Sequence, residues 1–199
     1  MKTSTEIITT NTDNNADGVI DSRSSSTNTY DQRGNQLTSV YEYDDNADGT
    51  IDYRYSYTDT YDQRGNLLTD VIEADDNGDG TIDYRSSNTN TYDQRGNQLT
   101  SISESDDNGD GNIDDRHSGT NTYDQRGNLL TSISEYDHDG DGNIDDRYSD
   151  TNTYDQRGNL LTSISEYDHD GDGNIDDRYS DTNTYDQRGN LLTSISEYD

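Results

Sequence analysis

The sequence has no cysteine, proline, tryptophan or phenylalanine, and only 24% of its 199 residues are hydrophobic. Without cysteine there are no disulfides, thiolate metal sites or thiol nucleophiles, and the redox compartment leaves no mark. Positive charge is scarce too: 13 Lys and Arg stand against 44 Asp and Glu, a net charge of −31. Such acidity repels phosphate backbones and anionic lipid, so nucleic acid is not an expected partner. No apolar run approaches the length of a membrane span. The opening Met1-Lys2-Thr3-Ser4-Thr5 lacks the apolar stretch of a secretory signal. An exported form would therefore carry a signal already removed, outside this sequence, or of another kind. Low hydrophobicity with high charge is by itself the composition of a disordered chain, because little apolar area is available to offset chain entropy.

What is present argues otherwise. There are 17 tyrosines, and the acids recur at fixed positions. The hexapeptide Tyr-Asp-Gln-Arg-Gly-Asn begins at Tyr30, Tyr61, Tyr92, Tyr123, Tyr154 and Tyr185, each step being 31 residues. A period this strict describes one supersecondary unit stacked on copies of itself. The expected organisation is an N-terminal strand over 1–12, a docking segment for another subunit, followed by six repeats over 13–199 in one elongated array that stops at the first residue of a seventh loop. One unit, Asp168–Tyr198, holds eight acids against two arginines, hence −6, and only seven apolar or aromatic residues. That is too few for a conventional core, so bound cations are expected to supply what a core cannot.

Each unit contains Asp-x-Asp/Asn-x-Asp-Gly-x-Ile-Asp, which sets oxygen donors at alternate positions of a tight loop. The candidate ligands are Asp13, Asn15, Asp17 and Asp21; Asp44, Asn46, Asp48 and Asp52; Asp75, Asn77, Asp79 and Asp83; Asp106, Asn108, Asp110 and Asp114; Asp137, Asp139, Asp141 and Asp145; and Asp168, Asp170, Asp172 and Asp176. Hard oxygen ligands at this spacing suit calcium, which takes six to eight of them, better than the smaller octahedral magnesium. At least one Ca²⁺ per repeat is expected. The loops resemble the first nine positions of an EF-hand loop, and equally dockerin and thrombospondin type 3 calcium loops. The twelfth position, a bidentate Glu in an EF-hand, is here Ser24, Tyr55, Ser86, His117, Tyr148 or Tyr179. Missing ligands are expected from water, from neighbours such as Asp177 or, the favoured source, from the adjacent repeat, stacking the loops into a column of ions. His138 and His169, at the second loop position, are expected to face solvent.

Between loop and hexapeptide, Asp176–Tyr185 is rich in Thr and Tyr; after it, Leu191–Tyr198 is again β-like. Both alternate with period two, and Asp186-Gln187-Arg188-Gly189 reads as a hairpin loop with Gly189 left-handed. Arg178, Ser180, Thr182 and Thr184 recur unchanged in every repeat while the interleaved positions vary. One face is therefore expected to be constrained and the other solvated. Pairing Tyr185 with Asn190 sets Arg178 opposite Glu197 and, continued across the calcium loop, gives each interior Arg a Glu on both sides. The expected ladder is Arg54, Glu42, Arg85, Glu73, Arg116, Glu104, Arg147, Glu135, Arg178, Glu166 and Glu197. The expected fold is all-β, an antiparallel hairpin meander with a column of Ca²⁺ loops. A parallel β-solenoid is the alternative, but it would stack Arg178 on its own copies about 4.8 Å apart.

The run Tyr-Asp-Gln-Arg-Gly-Asn-Leu-Leu-Thr, with Thr-Asn-Thr-Tyr-Asp before the turn, resembles the YD (Rhs-type) repeat. That resemblance implies chains of β-hairpins in large extracellular or secreted proteins. The unbroken spacing and the calcium loop depart from the family and resemble calcium-laden extracellular fibre and adhesin proteins. The function expected is a structural subunit of a calcium-stabilised extracellular or cell-surface fibre, whose partners are copies of itself added head to tail. Alternatives are an adhesin stalk, an ice-binding surface built on rows such as Thr182 and Thr184, or a fragment of an Rhs-type shell. No Ser-His-Asp set or open metal site is visible, and His117, His138 and His169 occupy two different repeat positions, so an enzyme is not expected.

Overall fold

The computed structural model describes residues 3–199, and among them there are thirteen strands and no helix. They are β1 (Ser4–Thr12), β2 (Ser22–Tyr30), β3 (Gln36–Asp44), β4 (Tyr53–Tyr61), β5 (Leu67–Asp75), β6 (Tyr84–Tyr92), β7 (Gln98–Asp106), β8 (Asp115–Tyr123), β9 (Leu129–Asp137), β10 (Asp146–Tyr154), β11 (Leu160–Asp168), β12 (Asp177–Tyr185) and β13 (Leu191–Tyr198). Strand order in the sheet follows the chain from β1 to β13. The described pairings are antiparallel, and the end strands β1 and β13 are not partners. The fold is thus an open antiparallel hairpin meander, not a solenoid. Two compact units are distinguished: the residues to Thr89 with Glu104–Ile113, and Asn90–Ser103 with Asp114–Asp199.

Each hexapeptide makes the tight turn of its hairpin. In the last, the Asp186 N–H donates to the Asn190 carbonyl (2.9 Å) and the Gly189 N–H to the Asp186 carbonyl (3.1 Å). The Asp186 carboxylate then gathers three more donors: the N–H of Arg188 (2.7 Å), the N–H of Asn190 (2.9 Å) and the side-chain amide of Asn190 (2.8 Å). This clasp is why Asp and Asn recur four residues apart, since a short carboxylate fills the turn's free backbone donors. It holds the carboxyl below its ordinary value, through the Asn190 side chain first and its backbone N–H next. Gly189 at φ +86° supplies the left-handed position.

The clasp also corrects the expected register. Asn190 is drawn into the turn, Tyr185 faces Leu191, and a bulge follows, so that Thr184 faces Thr193. The pairing moves by two residues. Arg178 therefore does not face Glu197, which lies opposite Ser180; it exchanges backbone hydrogen bonds with Asp199. A shift of two keeps every side chain on its own face. On the calcium-loop side the Arg–Glu register is present: Glu42 faces Arg54, Glu73 faces Arg85, Glu135 faces Arg147 and Glu166 faces Arg178.

Among the described residues only Ala74 is a buried hydrophobic. The sheet is held by its ladder and by side-chain rungs. Six threonine pairs, from Thr29–Thr38 to Thr184–Thr193, place their hydroxyl oxygens 2.6 Å apart. The variable face is not simply solvated. It carries tyrosine rungs such as Tyr148–Tyr167 (4.7 Å between centroids) and Tyr179–Tyr198 (4.6 Å). Such ring pairs are worth roughly 0.5–1.5 kcal/mol beyond their area. In the second unit the turns are linked as well: the Tyr154 hydroxyl donates to the Leu129 carbonyl (3.0 Å), and the Arg126 guanidinium to the carbonyl of Gln156.

Candidate metal centre

The loops between hairpins begin at Asp13, Asp44, Asp75, Asp106, Asp137 and Asp168, numbered here one to six. Loop six shows how the sequence folds. Asp168 ends β11, and its Oδ2 accepts the N–H of Gly173 (2.9 Å). Asp170 accepts from the Asp172 N–H (3.2 Å), and Asp172 from the Asn174 N–H (2.8 Å). Asp176 reaches back to the N–H of His169 (2.7 Å), and its own N–H closes the loop on the Tyr167 carbonyl (2.8 Å). Successive Asx turns wind the chain around a centre faced by carboxylates. Loop one repeats the pattern: Gly18 donates to Asp13, Asp17 to Asn15, Val19 to Asp17 and Asn14 to Asp21. Loop two does so through Asp44, Asn46, Asp48 and Asp52, and loop three through Asp75, Asn77, Asp79 and Asp83. In loop four, Asp106, Asn108 and Asp110 accept likewise, and Asp114 closes the sequence of the loop.

The first Asp of loops two to six is buried, from 3% exposed at Asp44 and Asp168 to 7% at Asp106. In loops three, five and six the second carboxylate oxygen, Oδ1 of Asp75, Asp137 and Asp168, is buried without any hydrogen-bond partner. A buried carboxylate oxygen with no partner is costly unless a cation stands opposite it. Asp137, Asp139 and Asp145 bring ligand atoms within 4.8 Å of one another, as do Asp168, Asp170 and Asp176. Asp141 and Asp172 lie outside those groups. They turn to the backbone and side chain of Asn143 and Asn174, which hold both carboxyls below their ordinary value. These clusters can hold a hard cation.

The Arg–Glu pairs lie alongside: Arg54–Glu42 at 3.7 Å, Arg85–Glu73 and Arg147–Glu135 at 3.5 Å, and Arg178–Glu166 at 3.3 Å. Arg116 and Glu104 occupy the corresponding positions in β8 and β7. The corrected register gives these arginines a second role that sequence reasoning missed. On the hairpin side each faces the first Asp of the following loop: Arg23 faces Asp44, Arg54 Asp75, Arg116 Asp137 and Arg147 Asp168. The fourth loop position was missed as well. A methyl group added at Gly78, Gly109 or Gly171 would overlap the carbonyl oxygen of Ile51, Ile82 or Ile144, respectively, each in the preceding loop. Within each unit these loops therefore touch backbone to backbone. His138 is half-exposed, yet both ring nitrogens meet carboxylates, Nδ1 at Asp115 (3.3 Å) and Nε2 at Asp146 (3.0 Å).

No protein-family model and no curated protein matches the sequence. Among solved structures, the chain is similar to a porin-like protein from Bacteroides uniformis at 10% identity and a TM-score of 0.26, covering 93% of each chain. It is also similar to a Photorhabdus luminescens Tc holotoxin pore structure at 15% identity and a TM-score of 0.24, covering 87% of this chain and 11% of that one. A TcdB2–TccC3 structure follows at 13% identity and a TM-score of 0.22, with 96% and 15% covered. At such scores the likeness carries no inference about activity, partners or location.

Proposed function

We propose that this protein is a calcium-stabilised structural repeat protein, a subunit of an extracellular fibre that binds Ca²⁺ in its Asp-rich loops and assembles with copies of itself. The observation that carries this reading is the buried, unpartnered Oδ1 of Asp75, Asp137 and Asp168, each inside a loop of further oxygen donors. With one buried hydrophobic among the described residues and a charge of −31, the backbone ladder and side-chain rungs work against strong self-repulsion, which bound cations relieve. One Ca²⁺ bound in the unit Asp168–Tyr198 lowers its charge from −6 to −4. Extracellular loops of this kind bind at about 10⁻⁴–10⁻³ M, so ordering is favoured outside the cell and not at cytosolic calcium levels. A meander of identical hairpins extends by adding more of the same unit, whether from one chain or several, and heterologous addition gives filaments. No catalytic activity is proposed.

The test is circular dichroism and electron microscopy of purified protein with calcium and with a chelator. β-structure and filaments in calcium, both lost on chelation, are the expected result. An unchanged spectrum after chelation overturns the reading.

A further inference from the structure

Resting on the calcium reading above, we infer that the six loops form two classes, and that loops five and six, Asp137–Asp145 and Asp168–Asp176, are the tight sites that fill first. The difference lies at the third loop position, which is Asn15, Asn46, Asn77 and Asn108 in the first four loops but Asp139 and Asp170 in the last two. Each of the last two loops thus carries one more negative charge on its ligand set. Among the described residues, only these two loops bring three carboxylate groups within 4.8 Å of one another.

In loop three, the Asn77 Oδ1 accepts the Asp79 N–H (3.0 Å), while its amide nitrogen lies 3.2 Å from Oδ2 and 3.4 Å from Oδ1 of Asp83. That amide donor occupies the last carboxylate of the loop, and an incoming cation has to displace it. Asp139 and Asp170 put a carboxylate oxygen where Asn77 has this amide, so nothing has to be displaced. Both tight loops also hold a first ligand that is more than nine-tenths buried, Asp137 at 4% and Asp168 at 3% exposure, with an unpartnered Oδ1. Loop three shares the orphaned oxygen but not the third carboxylate, so the third position separates the two classes. Calcium affinity in such loops follows the number of charged ligands, and one added carboxylate corresponds to a preference on the order of ten-fold.

Calorimetric titration of the calcium-stripped full chain with Ca²⁺ tests the inference. The expected isotherm has two tight sites followed by a weaker class. In Asp139→Asn/Asp170→Asn the tight class disappears while the weaker one remains. In Asn77→Asp/Asn108→Asp, which adds charge instead of removing it, the tight class grows to four sites. A single class of equal sites in the unaltered protein, or a tight class that survives the double Asn substitution, overturns the inference and leaves the calcium reading standing. No binding at any loop overturns both.

Discussion

Each hairpin ends in an acidic turn on one side and an acidic loop on the other, and the two solve the same problem differently. In the tight turn, Asp186 has both carboxylate oxygens filled by N–H groups of Arg188 and Asn190. In the loop, Asp168 has one oxygen filled by Gly173 and the other buried and empty-handed. Both turns are rich in Asp and Gly, yet only one is complete as protein. The comparison teaches which aspartates fold the chain unaided and which wait for an ion.

Asn substitutions at the two ends break or sharpen this comparison, with the largest expected effect. Asp168→Asn keeps an oxygen for the Gly173 N–H but removes a charge from the ion site. In calcium the variant unfolds at lower urea than the unaltered protein. In chelator its circular dichroism signal is no weaker than that of the unaltered protein, because a buried unpartnered carboxylate oxygen has been replaced by a neutral amide. Asp186→Asn also lowers the urea midpoint in calcium, since one amide oxygen cannot serve three donors, but leaves the number of bound Ca²⁺ unchanged. A full complement of bound Ca²⁺ in Asp168→Asn would mean that the loop is only another clasp.

A finer contrast exists among the loops themselves. Ala16 and Ala47 hold the fourth position in loops one and two at φ 60° and 55°, where the later loops have Gly78, Gly109, Gly140 and Gly171. Alanine therefore tolerates this conformation here. The cost of Gly171→Ala adds, to the left-handed strain that Ala16 and Ala47 already bear, the overlap of its methyl with the Ile144 carbonyl. Forcing a methyl against backbone costs about 1–3 kcal/mol, read from the urea midpoint in calcium. Ala47→Gly removes left-handed strain of about 1–2 kcal/mol but adds unfolded-chain entropy, so it is expected to be neutral or stabilising by under about 1 kcal/mol. Equal costs for both substitutions would show that loop-on-loop contact is not what distinguishes these positions.

These contrasts also mark what could be read from the residues alone. Repeat length, strand positions, the left-handed Gly189 and the loop motif are local, and local patterns carry them. The register was not legible, because the Asp186–Asn190 clasp that moves it by two residues depends on side-chain hydrogen bonds rather than on hydrophobic alternation. Gly171 was not legible, because what constrains it is a contact with Ile144, which lies in another repeat. The tyrosine rungs were hidden for a related reason. Tyr148 and Tyr167 occupy variable positions, and variability reads as solvation until the pairing across strands is known. Among the candidate ligands, Asp170 and Asp172 look alike in the motif, and only the local turns show that one joins the carboxylate cluster while the other caps Asn174.

The smallest expected effect concerns the clasp and acid. Asp155 and Asp186 both titrate below the ordinary value of 3.8, Asp155 through the Asn159 backbone N–H first and its side chain next, Asp186 in the reverse order. A carboxyl depressed in the folded state contributes stability that is fully present above its unfolded value and lost as pH falls through the folded one. The clasp is therefore intact through neutral pH and opens only in acid below that value. Carbon-detected NMR titration of the two carboxyls is expected to place both midpoints below 3.8. Asn190→Ala and Asn159→Ala each remove a side-chain donor 2.8 Å from the carboxylate, and each is expected to raise the midpoint of its Asp. Midpoints that stay put in both variants would mean that the Asn side chains do not hold the turn, and the corrected register would then need another cause.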